Sequence, residues 1–473
     1  MYYIVCNTFY HKKWIKAILL SIVNRFYSKI DAFILPVLAE PEQINSMISR
    51  YYNSQKAMEA VEEFSRVNNT VAKGQNDAFT NKSAVQDVSE SPAVKLVNML
   101  IDQAIQSNAS DIHIEPQENH IKVRFRIDGK LQDVMKPSID ALQAIVTRIK
   151  VASGLNITER RLPQDGRLSY KTGTDRADLR ISITPTIFWE KVVIRISGGK
   201  AYDIPIENLG FLPENLIKFK TIMKKPYGIV LVTGPTGSGK TTTLYSAIKE
   251  LNNSDVNIIT IEDPVECVLE GINQIQINQK IGLDFASSLR SILRQDPDII
   301  LVGEIRDSET AEVAVRAAIT GHLVLSTLHT NDAAGSIIRL IDMGIQSFLV
   351  SNSVIGIIAQ RLVRRICTNC KSVYHPLDEE IDTLGFDKKT KPVFYQGSGC
   401  ELCKGTGYKG RIAVHEIMEV GPELRHAIYK GESSDKLREI AAANDMISLQ
   451  ENCKRLALEG VTTLEEIIKV TWL

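Results

Sequence analysis

Residues 228–242 join an apolar run to a glycine-rich segment and a Lys-Thr pair, Gly-Ile-Val-Leu-Val-Thr-Gly-Pro-Thr-Gly-Ser-Gly-Lys-Thr-Thr. The β-branched run is typical of a buried parallel strand, and the stretch that follows, to about Glu250, is typical of a helix. Glycines between a strand and a helix let several backbone N–H groups face one phosphate at the positive end of the helix. Lys240 can reach the β- and γ-phosphates, and the Thr241 hydroxyl can ligate Mg²⁺.

This pattern predicts a P-loop that binds a nucleoside triphosphate. A chance glycine-rich turn is the alternative, but a chance turn does not require this order of strand, loop, Lys-Thr pair and helix. The residues predicted to hold the nucleotide are Gly234, Pro235, Thr236, Gly237, Ser238, Gly239, Lys240, Thr241 and Thr242.

The length and the charge of the chain limit the class of protein to which it belongs. A chain of 473 residues is too long for a single core and suggests roughly three domains. Its 44% apolar and 24% charged residues are ordinary for a globular protein. The 56 basic residues balance 56 acidic ones, so the net charge favours neither nucleic acid nor an anionic membrane, although a local basic patch is compatible with it.

One apolar run near the start of the chain imitates a targeting segment. The run from Trp14 to Val23 is too short to span a bilayer, and the residues after it offer no small-residue cleavage site. We therefore predict an amphipathic or core helix at this place, no transmembrane segment, and a cytoplasmic protein.

Shifts in composition divide the chain into four regions. Residues 1–66 are interpreted as a small N-terminal module, and the polar stretch 67–92 as a flexible linker, because it contains little that could fill a core. Residues 93–200 combine an amphipathic helix with strand patterns, which predicts an α+β module. In residues 201–473, strands and helices alternate at first, which is typical of the mainly parallel sheet of a RecA-like nucleotide-binding core, and the C-terminus is predicted to be helical.

Polar side chains follow three predicted strands of this core, at the edge where ligands bind in open α/β sheets. Glu262, Glu304 and His329 each lie at or just beyond the end of an apolar, strand-like run. Hydrolysis of a γ-phosphate needs Mg²⁺, a positioned water and positive charge. We assign Glu262 to orienting the water, because it would end the strand after the P-loop helix, and Glu304 to holding Mg²⁺. The reverse assignment, and a solvated carboxylate with Arg306 as the ion-pair partner of Glu304, are alternatives.

One histidine and three arginines are further candidates for phosphate contacts. His329 is interpreted as a γ-phosphate sensor, with a structural histidine as an equal alternative. Arg126, Arg180 and Arg195 lie on predicted strands of the α+β module, and arginine is well suited to meeting phosphate charge. Partly exposed strand arginines without a role are the default alternative.

Two Cys-x-x-Cys pairs indicate a metal site. Cys367 and Cys370 form the first pair, Cys400 and Cys403 the second, and four thiolates in two such pairs suit tetrahedral Zn²⁺. The stretch between the pairs is longer than usual for such sites, so we predict an excursion that the metal closes, in a subdomain at 367–411. The predicted role is structural, and a redox disulfide is the alternative.

The last helix of the chain has a predicted starting point. The pattern Thr463-x-x-Glu466 resembles a capping box, in which the two side chains satisfy the first free N–H groups of a helix. We therefore expect a helix to begin there.

Several longer motifs accompany these residues. They are Ser110-Asp-Ile-His-Ile-Glu115, Arg126-Ile-Asp-Gly129, Leu162-Pro-Gln-Asp-Gly-Arg167, Ile261-Glu-Asp-Pro-Val-Glu266, Arg294-Gln-Asp-Pro-Asp298, Gly303-Glu-Ile-Arg-Asp307, Thr320-Gly-His322, Ser326-Thr-Leu-His-Thr-Asn331 and Gly407-Tyr-Lys-Gly-Arg411. With the P-loop and the cysteine pairs, they make residues 90–473 similar to the secretion ATPases that drive type II secretion and type IV pilus assembly. One departure is Trp189, where that family usually has glycine.

The resemblance implies a RecA-like P-loop ATPase core preceded by a PAS-like α+β module, with ATP and Mg²⁺ bound between the two modules. It implies that Glu262 belongs to the family's Asp box, Glu304 to its Walker B motif and His329 to its His box. It also implies that Arg180 and Arg195 contact phosphate. The paired cysteines match the assembly enzymes rather than the retraction enzymes of the same superfamily.

The resemblance also implies an assembly and partners. We expect a homohexameric ring, peripheral to the cytoplasmic face of the inner membrane, which acts on an inner-membrane platform protein. The N-terminal module would bind a docking protein at that face, and nucleic acid is not expected as a partner. A nucleotide-gated assembly scaffold is the second hypothesis, and a nucleic-acid translocase is the third, against which the zero net charge counts.

Overall fold

The structure is a computed structural model that describes residues 92–172, 175–198, 202–386 and 392–471. These residues divide into two compact units, one containing residues up to 168 together with Leu179–Ile196, the other containing Ser169–Asp178 and the residues from Ser197 onward. The docking module predicted for residues 1–66 lies outside the described residues, as does the linker predicted for 67–92 apart from Pro92.

One group of elements is centred on a six-stranded sheet. Its helices are α1 (Pro92–Gln106) and α2 (Leu142–Ala152), and its strands are β1 (Ala109–Pro116), β2 (Ile121–Ile127), β3 (Lys130–Met135), β4 (Gln164–Thr172), β5 (Asp175–Thr186) and β6 (Trp189–Ser197). The strands lie in the order β3-β2-β1-β6-β5-β4, and β1 runs antiparallel to both β2 and β6.

The core of this sheet follows from alternation along its strands. Ile112 and Ile114 on β1, and Val123 and Phe125 on β2, are at most 1% exposed, and the two members of each pair are separated by one less buried residue. Helix α1 forms because apolar residues recur at helical spacing, and its buried stripe lies against β1 and α2. The predicted α+β architecture is confirmed.

Strand β6 begins at Trp189, the position at which the sequence departs from the family. The φ angle of Trp189 is +117°, in a region of backbone conformation that glycine enters without strain and bulky residues rarely adopt. The Thr186 hydroxyl donates a hydrogen bond of 2.7 Å to the carbonyl of Trp189 and closes the turn. Trp189 therefore adopts a backbone conformation that glycine, expected here from the resemblance, would reach without strain.

The other group of elements is centred on a seven-stranded sheet. Its helices are α3 (Pro213–Met223), α4 (Lys240–Leu251), α5 (Phe285–Ile292), α6 (Ser308–Ile319), α7 (Ala333–Asp342), α8 (Ser347–Ser353), α9 (Asp378–Thr383), α10 (Pro422–Lys430), α11 (Ser434–Ala443), α12 (Leu449–Leu458) and α13 (Leu464–Thr471). The strands are β7 (Gly228–Thr233), β8 (Ile258–Glu262), β9 (Asn273–Gln276), β10 (Ile299–Val302), β11 (Leu323–Leu328), β12 (Val354–Ile366), β13 (Lys371–Tyr374), β14 (Phe394–Gly397) and β15 (Tyr408–Glu419). None of the described helices combines the length and the apolar character needed to cross a membrane.

Seven of these nine strands form the sheet, in the order β15-β12-β7-β11-β10-β8-β9, and β13 pairs with β14 in a separate two-stranded sheet. All neighbouring strands are parallel except β12 and β15, which are antiparallel. Every residue of β7, β8, β10 and β11 is buried, because apolar cores lie on both faces of the sheet. Burial on both faces explains why these strands are continuous apolar runs, and the predicted mainly parallel sheet is confirmed.

Candidate functional site: the P-loop and a four-cysteine cluster

The predicted P-loop residues form a turn between a buried strand and a helix. Strand β7 ends at Thr233 and α4 begins at Lys240. Gly234, Gly237 and Gly239 have φ angles of +149°, +80° and +91°, which side-chain-bearing residues rarely adopt. The loop therefore depends on its glycines, and it places the N-terminus of α4 beside the turn, as a phosphate site requires.

Lys240 is buried at the start of α4. Its ammonium group donates hydrogen bonds to the backbone oxygens of Gly234, at 2.7 Å, and of Pro235, at 3.2 Å. Burial lowers the pKa of Lys240 to about 8, and the negative charge of Glu304 opposes this shift. The group remains mostly protonated at neutral pH, so it can meet phosphate charge from inside the loop.

Glu262 is the last residue of β8 and is 4% exposed. Its Oε1 atom accepts hydrogen bonds from Thr260, at 2.6 Å, and Gln274, at 3.2 Å, and its Oε2 atom accepts one from the hydroxyl of Tyr245. Burial and the neighbouring carboxylate raise the pKa of Tyr245, so this hydroxyl stays a donor. Among the described residues only Tyr245 donates to Oε2, so this atom can accept one further hydrogen bond.

Glu304 follows β10, and its side chain is 14% exposed. One of its oxygens lies 3.4 Å from Nε2 of His329, beyond the end of β11, and the other 2.5 Å from the guanidinium of Arg306. Glu304 also acts electrostatically on Lys240. Two of the predicted strand-end residues, Glu304 and His329, therefore lie together, and the charge of Glu304 reaches the P-loop lysine. The alternative partner, Arg306, is present as well, but its side chain is 66% exposed, so the pair contributes little.

The structure separates His329 from His322, the last residue of the motif Thr320-Gly-His322. His322 lies at the opposite end of β11 from His329. Its Nδ1 atom is 2.9 Å from the carbonyl oxygen of Ala317 and 3.4 Å from the hydroxyl of Thr320, at the C-terminal end of α6. These contacts indicate that His322 stabilises the junction of helix and strand.

The candidate arginines lie on the six-stranded sheet, Arg126 on β2, Arg180 on β5 and Arg195 on β6. The Nε atom of Arg195 is 3.0 Å from Asp111, and that of Arg126 is 3.5 Å from the same carboxylate. Arg195 therefore already has an anionic partner on β1. The contribution of Arg180 and Arg195 to phosphate binding stays a prediction.

Sequence reasoning missed two neighbouring residues at the base of the loop, Gln360 and Arg361. The buried guanidinium of Arg361 donates to the backbone and side-chain oxygens of Asn331, at 3.2 and 3.1 Å. Burial lowers the pKa of Arg361, and its Nε and Nη1 atoms have no hydrogen-bond partner among the described residues. A signal was available, because Gln360 and Arg361 interrupt an otherwise apolar run at 354–363.

The four cysteines of the predicted metal site form one cluster. All of their Sγ atoms lie within 4.8 Å of one another. The Sγ separations are 3.7 Å for Cys367 and Cys400, 3.8 Å for Cys370 and Cys403, and 3.7 Å for Cys400 and Cys403. A tetrahedron of sulfurs about 2.3 Å from a central ion has edges of roughly 3.8 Å. The cluster therefore has the dimensions of a four-thiolate metal site.

The backbone around the cluster also suits thiolates. The N–H groups of Cys400 and Gly407 each donate to Sγ of Cys403 at 3.2 Å. A hydrogen bond from the Asn369 side chain lowers the pKa of Cys400 to about 6, whereas burial raises the pKa values of Cys367 and Cys370. Donors of this kind surround metal-bound sulfur and stabilise its negative charge.

Comparison with known proteins decides the family. The family model of the Type II/IV secretion system proteins matches residues 86–469. The chain belongs to this family. The type IV pilus assembly ATPase PilB of Thermus thermophilus is 47% identical over 441 residues, which are 93% of this chain and 48% of that protein. The type II secretion system protein HxcR of Pseudomonas aeruginosa is 47% identical over 380 residues, 80% of this chain and 77% of that protein. The chain thus spans about half the length of the PilB relative.

A solved structure agrees with this membership. The structure of the pilus retraction motor PilT with bound ADP has a TM-score of 0.55 at 27% identity and covers 79% of this chain and 96% of its own. The predicted family and the RecA-like P-loop fold are confirmed. As a member of this family the chain is an ATP hydrolase of type II secretion or type IV pilus assembly, and its cofactors are ATP and Mg²⁺.

Proposed function

We propose that this ATPase converts ATP hydrolysis into mechanical work on a pilus or secretion machine, and that it acts as a hexamer. The proposal is carried by one observation: a P-loop lysine, a strand-end carboxylate and a histidine share one site. Glu304 lies 3.4 Å from Nε2 of His329 and acts electrostatically on Lys240. Phosphoryl transfer is catalysed mainly by such positioning and electrostatic stabilisation.

The residues of the site divide the chemistry among them. Lys240 and the N–H groups of the P-loop bind the phosphates, while Thr241 and Glu304 would hold Mg²⁺, which neutralises developing charge. Glu262 orients the attacking water through the free lone-pair site on Oε2, and the donors from Tyr245 and its neighbours hold that carboxylate in place. His329, next to Glu304, senses the γ-phosphate.

Arg180 and Arg195 supply further positive charge in this proposal. Arginine neutralises charge that develops on a transferring phosphoryl group. Because Arg195 pairs with Asp111, phosphate binding would exchange one anionic partner for another.

Zn²⁺ is the proposed ion of the four-cysteine cluster. Four thiolates with tetrahedral spacing leave no ligand position open, which supports a structural role. We further propose that the hexamer is peripheral to the cytoplasmic face of the inner membrane, with an inner-membrane platform protein and a docking protein as partners. The pilus assembly and secretion machines named for its relatives support this location.

The assignment of Glu262 is tested by Glu262→Gln. The amide keeps the shape of the side chain but no longer draws a proton from water, so we expect ATP binding within about threefold of wild type and turnover at least ~100-fold lower. Lys240→Ala should lose ATP binding or turnover. Nucleotide binding and phosphate release are measured on the full chain, with Glu270→Gln, on the exposed loop beyond β8, as the matched control.

Three outcomes would contradict parts of the proposal. Normal turnover of Glu262→Gln refutes its role as the residue that orients water. ATP binding without hydrolysis in the wild type, even with its membrane partner present, would favour a nucleotide-gated scaffold instead of a motor. Hydrolysis stimulated by DNA with a steep salt dependence would favour a nucleic-acid translocase.

A further inference from the structure

We propose that Gln360 is a positioning residue of the ATP site. Its side chain, on the strand β12 next to β7, holds the P-loop in the conformation that binds phosphate. The inference rests on the ATP site proposed above and deepens it. The Gln360 side chain is uncharged and lies outside the loop.

The sheet brings Gln360 to the P-loop. Strand β12 runs parallel to β7, and Ala359 is paired with Thr233, the last residue of β7. The next residue of β12, Gln360, therefore lies beside the point at which the P-loop begins. It is 2% exposed, so it cannot exchange its contacts for water.

The amide group of Gln360 connects the two sides of the loop. Its Nε2 atom donates a hydrogen bond of 2.8 Å to the carbonyl oxygen of Ser238, inside the loop. Its Oε1 atom accepts one of 2.7 Å from the hydroxyl of Thr243, in the first turn of α4. Thr243 is fully buried, so both bonds are made where water does not compete. One side chain thus satisfies a loop carbonyl and anchors it to the helix that points at the phosphates.

Steric contacts show how closely Gln360 fits the loop. A Cβ atom on Gly234 would lie 2.4 Å from the backbone oxygen of Gln360, and one on Gly239 would lie 2.7 Å from its Nε2 atom. Gly234 is therefore required by the approach of the Gln360 backbone as well as by its own φ angle, and a side chain at position 239 would displace the Gln360 amide. Removal of the amide would leave a cavity and two unpaired buried polar groups at the base of the loop.

The test compares two replacements of similar size. Gln360→Met fills the space but makes neither hydrogen bond, and we expect about tenfold weaker binding of a fluorescent ATP analogue together with about tenfold lower kcat/KM, at temperatures where the protein is fully folded. Gln360→Glu still accepts from Thr243, but its ionised carboxylate cannot donate to Ser238. When it is protonated it can donate again, so its binding relative to wild type should recover as the pH is lowered from 8.5 to 6.

The control is Asn215→Leu, which removes a different buried amide. Asn215 lies on α3, and its side-chain amide donates a hydrogen bond of 3.0 Å to the carbonyl oxygen of His415, outside the ATP site. The Asn215→Leu replacement should lower the melting temperature without weakening nucleotide binding. The proposal would be overturned if Gln360→Met bound nucleotide as well as the wild type does. It would also be overturned if Asn215→Leu lost as much nucleotide binding as Gln360→Met. A wild-type protein that binds no ATP would instead refute the proposed function, so the two failures are distinguishable.

Discussion

At the scale of single residues, His415 is an ionisable side chain enclosed in an apolar core. It lies on β15, is 0% exposed, and stacks on Phe211 with ring centroids 3.8 Å apart. Neither of its ring nitrogens has a hydrogen-bond partner among the described residues. Burial lowers the pKa of His415 to about 3, so the ring stays neutral in the folded protein at every physiological pH.

This residue predicts a loss of stability in weak acid. Between pH ~6.5 and ~3 the unfolded chain binds a proton at His415 that the folded chain does not, so stability falls by up to ~1.4 kcal/mol for each pH unit of acidification. When the pH is lowered from 7.5 to 5.5, the free energy of unfolding, measured by urea denaturation, should fall by about 1 kcal/mol less in His415→Phe than in the wild type. The exposed His426 serves as control, and His426→Gln should follow the wild type. Equal pH dependence in all three proteins would contradict the prediction.

At the scale of elements, the end of β12 is anchored to the last helix by a buried ion pair. Arg364 donates from Nε, at 2.9 Å, and Nη2, at 2.6 Å, to one oxygen of Glu466, and its backbone N–H donates to the other. Its guanidinium also lies 3.7 Å from the ring centroid of Tyr408, on β15. Burial alone would raise the pKa of Glu466, but the hydrogen bonds from Arg364 and Lys469 outweigh it and lower that pKa.

Breaking this pair is predicted to destabilise the protein. Glu466→Gln leaves the buried charge of Arg364 with only the half-exposed Glu465 at 3.1 Å, and we expect a loss of about 3 kcal/mol in the free energy of unfolding at pH 7. Because the pKa of Glu466 is lowered, this contribution is present above the ordinary carboxyl pKa and is lost as the pH falls through the lowered value. Glu465→Gln is the matched control and should cost less than ~1 kcal/mol. A change in Glu466→Gln no larger than in that control would refute the prediction.

At the scale of the whole molecule, the cysteine cluster joins distant parts of the chain. Cys367 directly follows β12, and Cys403 lies shortly before β15, its antiparallel neighbour. An ion held by the four thiolates would close the excursion between these strands, and because the unfolded chain lacks the site, its binding free energy would add to the stability of the folded chain.

Loss of one ligand is therefore predicted to release the metal. Cys370→Ser should reduce zinc from about one ion per chain to less than ~0.1 and lower the melting temperature, as measured by elemental analysis and thermal unfolding. Cys267→Ser, outside the cluster, should keep both values. Full zinc content in Cys370→Ser would contradict the four-thiolate site.

Much of the fold and part of the site could be predicted from sequence because they depend on local order. The P-loop needs only a strand, glycines and a helix in succession, and residues 228–251 contain all three. Continuous apolar runs predicted the buried parallel strands, since burial on both faces removes any alternation. The cysteine pairs predicted their own cluster, because thiolates at that spacing suit one ion.

Residue roles that depend on distant neighbours required the tertiary structure. The pattern around Thr463 and Glu466 correctly predicted a helix start, yet the Glu466 carboxylate binds Arg364, 102 residues earlier in the chain. Gln360 contacts Ser238 across 122 residues because the parallel sheet places β12 beside β7. Sequence patterns predict the local structures that residues adjacent in the chain form together. Only the packing of strands decides which side chains, far apart in sequence, meet at the P-loop.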